Sequence, residues 1–192
     1  MKGMKLGFAV CGSFCTLERT LQEMRVLAEH EWEIQPILSP ITYETDTRFG
    51  KAEDWRRKIE ETCGREIWHT IPQVEPIGPK GLLDILLIAP CTGNTLGKMA
   101  NGITDTSVTM AAKAHLRNQR PVVVAVSTND GLSASARNIG TLMNTRQVFL
   151  VPFGQDDFMK KETSLVADFG KIEQSLASAL TGHQLQPLFL QK

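Results

Sequence analysis

A short apolar run that stops at a proline, then a turn of small hydroxyl residues, then a helical pattern constrain this chain more than any other stretch. Residues 85–89 read Ile-Leu-Leu-Ile-Ala, with no polar position on either face. Such a run fits a strand buried on both sides, the habit of parallel sheets. Pro90 has no N–H to give to a ladder, so the strand is expected to end there. Thr92 and Asn94 are good N-cap residues for the helix that follows. A strand end feeding a helix start offers free backbone N–H groups and the positive end of the helix dipole, which suits an anionic or polar ligand. In open α/β sheets ligands lie outside the carboxyl ends of the strands. Residues 90–95 are therefore the expected ligand-binding turn.

The remainder of the chain alternates in the same way. Residues 5–10 read as the first strand and 11–16 as a turn. Residues 17–30 read as a helix, with Leu17, Leu21, Met24, Leu27 and Ala28 at helical spacing. Residues 33–38 form a second strand, in which Pro36 marks an edge or a short strand. A polar turn over 39–45 leads to a helix over 51–63 that is rich in both charges. Residues 64–81 hold Pro72, Pro76 and Pro79 and read as an irregular functional or interface loop. The lone His69 in it reads as structural or solvated. After a break near Asn101-Gly102, residues 106–118 read as a helix and the valine-rich 121–126 as a strand. Ser133 is placed to cap a helix over 134–144. Residues 147–151 read as the last strand, 152–161 as a loop and 163–180 as the final helix, stopped by Gly182. The pattern predicts an α/β fold. A length of 192 residues suits a single Rossmann-like, flavodoxin-like domain over 1–192. Its doubly wound, mostly parallel sheet would have about five or six strands.

Composition narrows the function classes. The formal net charge is zero, which gives no electrostatic case for nucleic acid or an anionic membrane surface. No apolar run approaches the roughly 20 residues of a membrane span. The basic start, Lys2 and Lys5, precedes an apolar run, but Cys11-Gly12-Ser13 and then Glu18-Arg19 interrupt it, as in a strand rather than an export signal. A cytoplasmic protein with reduced thiols is expected. The cysteines, Cys11, Cys15, Cys63 and Cys91, form no C-x-x-C pair and have no histidine at ligand spacing, so no metal site is expected. Cys11 and Cys91 read as small buried residues at strand ends.

Four turns would line one edge of the sheet: 11–16, 39–45, 90–95 and 127–133. Each carries hydroxyl or amide side chains, and none brings a cluster of Asp, Glu, His or Lys. That composition suits a phosphate and a heterocycle held by neutral hydrogen bonds, not a metal hydrolase or a triad enzyme. Polar turns are also what any α/β sheet presents there, so composition alone leaves both readings open. The dinucleotide fingerprint is absent, since Gly12 stands alone in the first turn. A Walker loop fails too, because Thr92 and Met99 replace its glycine and hydroxyl positions.

Residues 89–105, with Pro90, Asn94-Thr95, Lys98, Ala100-Asn101-Gly102 and Asp105, closely resemble the flavin-binding motif of the flavoprotein family of homo-oligomeric cysteine decarboxylases, phosphopantothenoylcysteine decarboxylase and flavin prenyltransferase. Gly12-Ser13 and Ser39 extend the match. Residues 5–16, Ser39-Pro40-Ile41-Thr42 and Asn129-Asp130-Gly131-Leu132 look most like the branch of that family that makes dipicolinate, the pyridine dicarboxylate of bacterial endospores. The resemblance implies FMN as cofactor. Gly12, Ser13 and Ser39 would approach its phosphate, Thr92, Asn94 and Thr95 the flavin, and Asn129 the substrate side. It also implies a homo-oligomer and a separate A subunit resembling a nicotinamide-dependent dehydrogenase, which would carry NAD(P).

The family's decarboxylation equipment is not matched. No histidine stands near Pro76, and Val126-Ser127-Thr128-Asn129 replaces a Pro-Ala-Met-Asn loop. The implied activity is oxidation of a dihydrodipicolinate by an oxidoreductase subunit. A non-catalytic partner with a vestigial flavin site and a flavin-dependent decarboxylase are the other readings. The catalytic residues are not identified. For the carboxylates of such a substrate, Arg48, Lys98 and Arg137 are candidates by position.

Overall fold

The computed structural model describes residues 3–190. Five parallel strands form its centre: β1 (Lys5–Val10), β2 (Glu33–Leu38), β3 (Ile85–Cys91), β4 (Val122–Thr128) and β5 (Val148–Leu150). Two short strands follow, β6 (Phe153–Gln155) and β7 (Leu165–Ala167), which pair antiparallel. The sheet order is β2-β1-β3-β4-β7-β6, with β5 also on β4. β4 serves two neighbours in turn. Its Val122, Val123 and Val124 pair with β5, and its Ser127 and Thr128 pair with β7.

Every residue of β3 is buried, and β4 is buried from Val122 to Ser127. Successive strand residues point to opposite faces, so helices must cover both. They are α1 (Leu17–Glu29), α2 (Pro40–Glu44), α3 (Ala52–Cys63), α4 (Ile71–Val74), α5 (Ile77–Lys80), α6 (Gly93–Ala100), α7 (Ser107–Arg117), α8 (Ala136–Met143) and α9 (Ile172–Leu180). α7 packs on β2, β3 and β4, and α9 on β3, β4 and β5. Pro36 does lie on an edge strand, where its missing N–H costs no ladder bond.

Four expectations need correction. β3 does not stop at Pro90 but runs through it to Cys91, across a cis Ala89–Pro90 bond and a register irregularity after Ile88. Pro90 lacks a donor, yet its carbonyl still accepts from the Cys11 N–H at 3.3 Å. Residues 64–81 are not irregular throughout: α4 and α5 lie there against α7 and bury Val74 and Ile77. Thr70 and Gln73 form a capping box for α4, and Gly81, at φ 58°, closes α5. The strand at 148–150 is not the last, because β6 and β7 follow where a loop and the start of a helix are expected. The final helix begins only at Ile172. Lastly, the helix over 134–144 shrinks to α8, and its N-cap residue is Ser135 rather than Ser133.

Candidate functional site

The four expected turns gather at the carboxyl edge of the sheet, on either side of β1 and β3, where the chain's connections diverge. Two adjoining hollows open there and share Gly12 and Thr92 in their walls. The first, about 580 Å³, contains Ser39, Asn94 and Thr95. The second, about 650 Å³, contains Ser13 and Asn129. All seven expected binding residues thus line one of the two. Ser13 and Ser39 stand in different hollows, with Gly12 between them. A side chain at Gly12 would bring its Cβ within 3.0 Å of the Ile41 methyl, so the small residue keeps this partition thin.

Each turn is held by its own polar contacts. In the first, the Ser13 and Ser127 hydroxyls lie 3.0 Å apart, and Thr16 Oγ1 donates to the Ser13 carbonyl at 2.8 Å. In the second, Ser39 is the N-cap residue of α2 with Pro40 at the first helical position, where its fixed φ fits and its absent N–H costs nothing. The Ser39 and Thr42 hydroxyls are 2.8 Å apart. In the third, Thr92 caps α6 as expected: its Oγ1 accepts from the Thr95 N–H at 3.4 Å. Thr95 Oγ1 in turn donates to the Cys11 sulfur at 3.2 Å. The N–H groups of Gly93 and Asn94 open the helix and have no acceptor within its ladder. The Asn94 amide is exposed.

The fourth turn buttresses the third. Asp130 accepts from Thr128 Oγ1 at 2.5 Å and from Ser135 Oγ at 2.9 and 3.0 Å. This cluster sits against Gly93, where a Cβ would lie 2.7 Å from oxygens of Asp130, Ser135 and Thr128. Only glycine lets the start of α6 approach so closely. Ser135 therefore spends its hydroxyl on Asp130 rather than on capping α8.

Cys11 and Cys91 lie side by side beneath the turns, both buried. A hydrogen bond from the Cys91 thiol draws the Cys11 pKa down, against the opposing effect of burial, with help from Thr95 and the Thr92 backbone. Burial and the Cys11 sulfur push Cys91 well up, so it stays a thiol and donates. Among the described residues, no group of histidine, cysteine, aspartate or glutamate is placed to hold a metal.

Several lining residues carry no local signal in the sequence. Glu44 reaches the first hollow from α2, while Arg19, Phe49, Asp156 and Lys161 reach the second. Asp156 and Lys161 come with the connection between β6 and β7, which the sequence pattern does not reveal. Of the three candidate cations, Arg48 lines the second hollow and Lys98 the first, whereas Arg137 lines neither. Lys98 is engaged by both carboxylate oxygens of Asp105, at 2.8 and 2.9 Å. His69 stacks on Tyr43, with ring centroids 3.6 Å apart, and lines neither hollow.

A parallel sheet in the order 2-1-3-4-5, with neutral donors at the β1/β3 crossover, defines a class of flavin- and nucleotide-binding α/β proteins. Comparison with known proteins narrows it: the Flavoprotein family matches residues 1–174, and the chain belongs to that family. It is 43% identical over 191 residues to the B subunit of dipicolinate synthase from Bacillus subtilis (strain 168), covering 100% of this chain and 96% of that one. The crystal structure of the corresponding dipicolinate synthase B subunit from Bacillus halodurans superposes with a TM-score of 0.91 at 41% identity, over 100% of this chain and 98% of that chain. Burkholderia xenovorans DmrB in complex with FMN, described as a cubic protein cage for redox transfer, superposes with a TM-score of 0.66 at 20% identity, over 93% of this chain and 96% of that chain. This last similarity shows the fold alone.

Proposed function

We propose that this chain is the B subunit of a dipicolinate synthase and binds FMN at the carboxyl edge of its sheet. In this reading it takes part in oxidising dihydrodipicolinate to dipicolinate during endospore formation. The observation that carries the proposal is the donor set. The exposed Asn94 amide and the opening N–H groups of α6 are neutral donors on one wall. Thr92 and Thr95, whose own protons go to Thr95 and Cys11, add hydroxyl oxygens to it, and Gly93 lets that wall come close to the β4 turn. A flavin ring and its ribityl chain present carbonyl, ring-nitrogen and hydroxyl groups, which neutral donors satisfy without adding a charge. The residues present fit the group. Thr92, Asn94 and Thr95 would hold the flavin, Gly12, Ser13 and Ser39 would approach the phosphate, and Asn129 would face the substrate.

When bound, FMN supplies a two-electron acceptor for the hydride that leaves the dihydropyridine ring. The chain's own part is to bind and orient. The walls would hold the ring through Thr92, Asn94 and Thr95, and Asn129 with the cations of the second hollow would present the substrate. No histidine lines either hollow. Glu44 and Asp156 are the carboxylates that line them, so the proton that accompanies the hydride would pass to one of these, to solvent or to a group of the dipicolinate synthase A subunit. That partner, with NAD(P), completes the enzyme in this reading. The chain further assembles as a homo-oligomer in the cytoplasm. The step from a 43% identical relative to this chain's own activity has a direct test. The FMN-loaded chain is mixed anaerobically with dihydrodipicolinate, with and without the A subunit, and the flavin absorbance is followed. Bleaching by the substrate supports the oxidoreductase reading. Persistent yellow colour with activity wholly in the A subunit overturns it in favour of a positioning partner.

A further inference from the structure

The two hollows differ in charge. In the first, Lys98 is neutralised by Asp105 and stands with Glu44. In the second, Arg19, Arg48 and Lys161 face a single carboxylate, Asp156. Two of these cations are already engaged. Arg19 lies 3.7 Å from Asp168 and over the Phe169 ring, and Lys161 is 2.5 Å from Asp156. Among the described residues Arg48 has no carboxylate partner. Its guanidinium instead lies 4.8 Å from the centroid of the Phe49 ring. A cation not yet neutralised gains most from an arriving anion.

Arg48 and Phe49 are held in place by a built turn. Thr47 and Gly50 exchange backbone hydrogen bonds of 3.0 and 3.1 Å, and the Phe49 N–H reaches Thr47 Oγ1 at 3.2 Å. Asp46 ties the turn to the start of α3 by accepting from the Ala52 N–H at 2.8 Å. Gly50 has φ 141°, and a Cβ there would meet the Trp55 indole nitrogen at 2.9 Å, so the turn depends on glycine. The turn thereby sets a forked donor over one face of a flat ring at the wall of a hollow of about 650 Å³, which leaves the other ring face for a ligand.

We propose that Arg48 is the carboxylate-specifying residue of the second hollow, with Phe49 as its stacking wall, and that the ligand they select is a planar ring dicarboxylate. This rests on the reading that the carboxyl edge serves dipicolinate formation. The guanidinium forks onto one carboxylate, which a lysine ammonium cannot match in plane. The Phe49 ring covers one face of the ligand ring, a contact that an aliphatic diacid does not make.

The test uses the full chain and pyridine-2,6-dicarboxylate as probe, by isothermal titration, with glutarate as the aliphatic comparison. FMN affinity is measured on the same proteins. Arg48→Gln is expected to weaken the ring diacid about tenfold or more. Arg48→Lys recovers part of that loss, and Phe49→Leu weakens the ring diacid a few-fold while leaving glutarate unchanged. FMN affinity stays the same throughout. Wild-type affinity for glutarate equal to that for the ring diacid, or an Arg48→Gln affinity equal to wild type, overturns the proposal. So does a loss of FMN affinity in Arg48→Gln, which would assign the arginine to the flavin phosphate. If FMN fails to bind wild type while the diacid binds through Arg48, the flavin reading falls and this one stands.

Discussion

The two ends of the sheet use polar side chains in opposite ways. At the amino ends they are spent on the backbone. Asp84 accepts from the Lys5 N–H at 2.8 Å, Arg120 donates to the carbonyls of Gly81 and Leu83, and Asn118 donates to Gly78 at 2.5 Å. His115 is buried beside them, its pKa pushed down to about 4, first by burial and then by the Arg120 charge. At the carboxyl ends some side chains still bond backbone, as Thr16 does to Ser13 and Ser107 to Leu38, but others hold one another, as Ser13 holds Ser127 and Thr92 holds Thr95, or stand exposed, as Asn94 and Asn129 do. Polar groups bonded to backbone close a structure, and groups spared from it remain for a ligand. Substitutions at the amino end are thus expected to change stability, and those at the carboxyl end to change binding.

Gly93→Ala is the change most able to break that division, because it lies at the carboxyl edge yet is packed like a core position. The new methyl must displace three oxygens that lie 2.7 Å from it. A loss of about 3 kcal/mol in urea unfolding is expected, together with weaker FMN binding. A stable Gly93→Ala protein with unchanged binding would mean that the fourth turn does not buttress the third.

The amino end should show itself in acid. His115 is protonated at about 6.5 when unfolded and only near 4 when folded, so the unfolded chain binds the extra proton between those values. Its contribution is complete above pH 6.5 and falls away as the pH drops toward 4, about 2 kcal/mol between pH 7 and pH 5. Urea unfolding at the two pH values, compared with His115→Gln, isolates this slope. The variant should lack it. An equal slope in both proteins would place the acid sensitivity elsewhere.

Smaller effects belong to the open edge. Asn94→Asp replaces an amide donor by a charge and should weaken FMN about tenfold without shifting the melting temperature. A shifted melting temperature with intact FMN binding would reverse the assignment of Asn94. Thiol reactivity is the mildest probe. Cys15 is exposed at the second hollow, whereas burial holds Cys63 up at about 12 and keeps Cys11 and Cys91 enclosed. One fast-reacting thiol per chain is expected, slowed by FMN. Fast labelling of Cys11 or Cys91, read by peptide mapping, would mean that the Cys11–Cys91 floor opens.

What could be read in advance divides along the same physical line. β3, β4 and β5 are legible because four or more apolar residues in a row, counting Val151 after β5, have few other homes, whereas β1 and β2 show shorter apolar stretches between turn residues, with Pro36 locating the edge. The seven candidate residues are legible as one group because strand ends must share an edge once the strands are parallel. Thr92 is legible as a cap from its local chemistry alone. β6 and β7 are not, because three residues are too few to show alternation, and Ser164 to Ala167 fits the start of a helix as well as a strand. Their pairing with β4 is a long-range fact with no local mark. Arg48 is a candidate from its position, but nothing local separates it from Arg137, which lines neither hollow. Asp156 and Lys161 are hidden because the β6–β7 connection that carries them to the second hollow has no local mark.

In the proposed reading, everything else depends on the carboxyl edge of this chain binding FMN through neutral donors. Equilibrium titration of the purified chain with FMN, followed by quenching of flavin fluorescence, probes that step without the partner or the substrate. Saturation at one FMN per chain is expected, with an affinity reduced in Asn94→Asp and unchanged in Arg120→Met. A folded chain that shows no saturable quenching, or one that binds FMN equally well as Asn94→Asp, would contradict it.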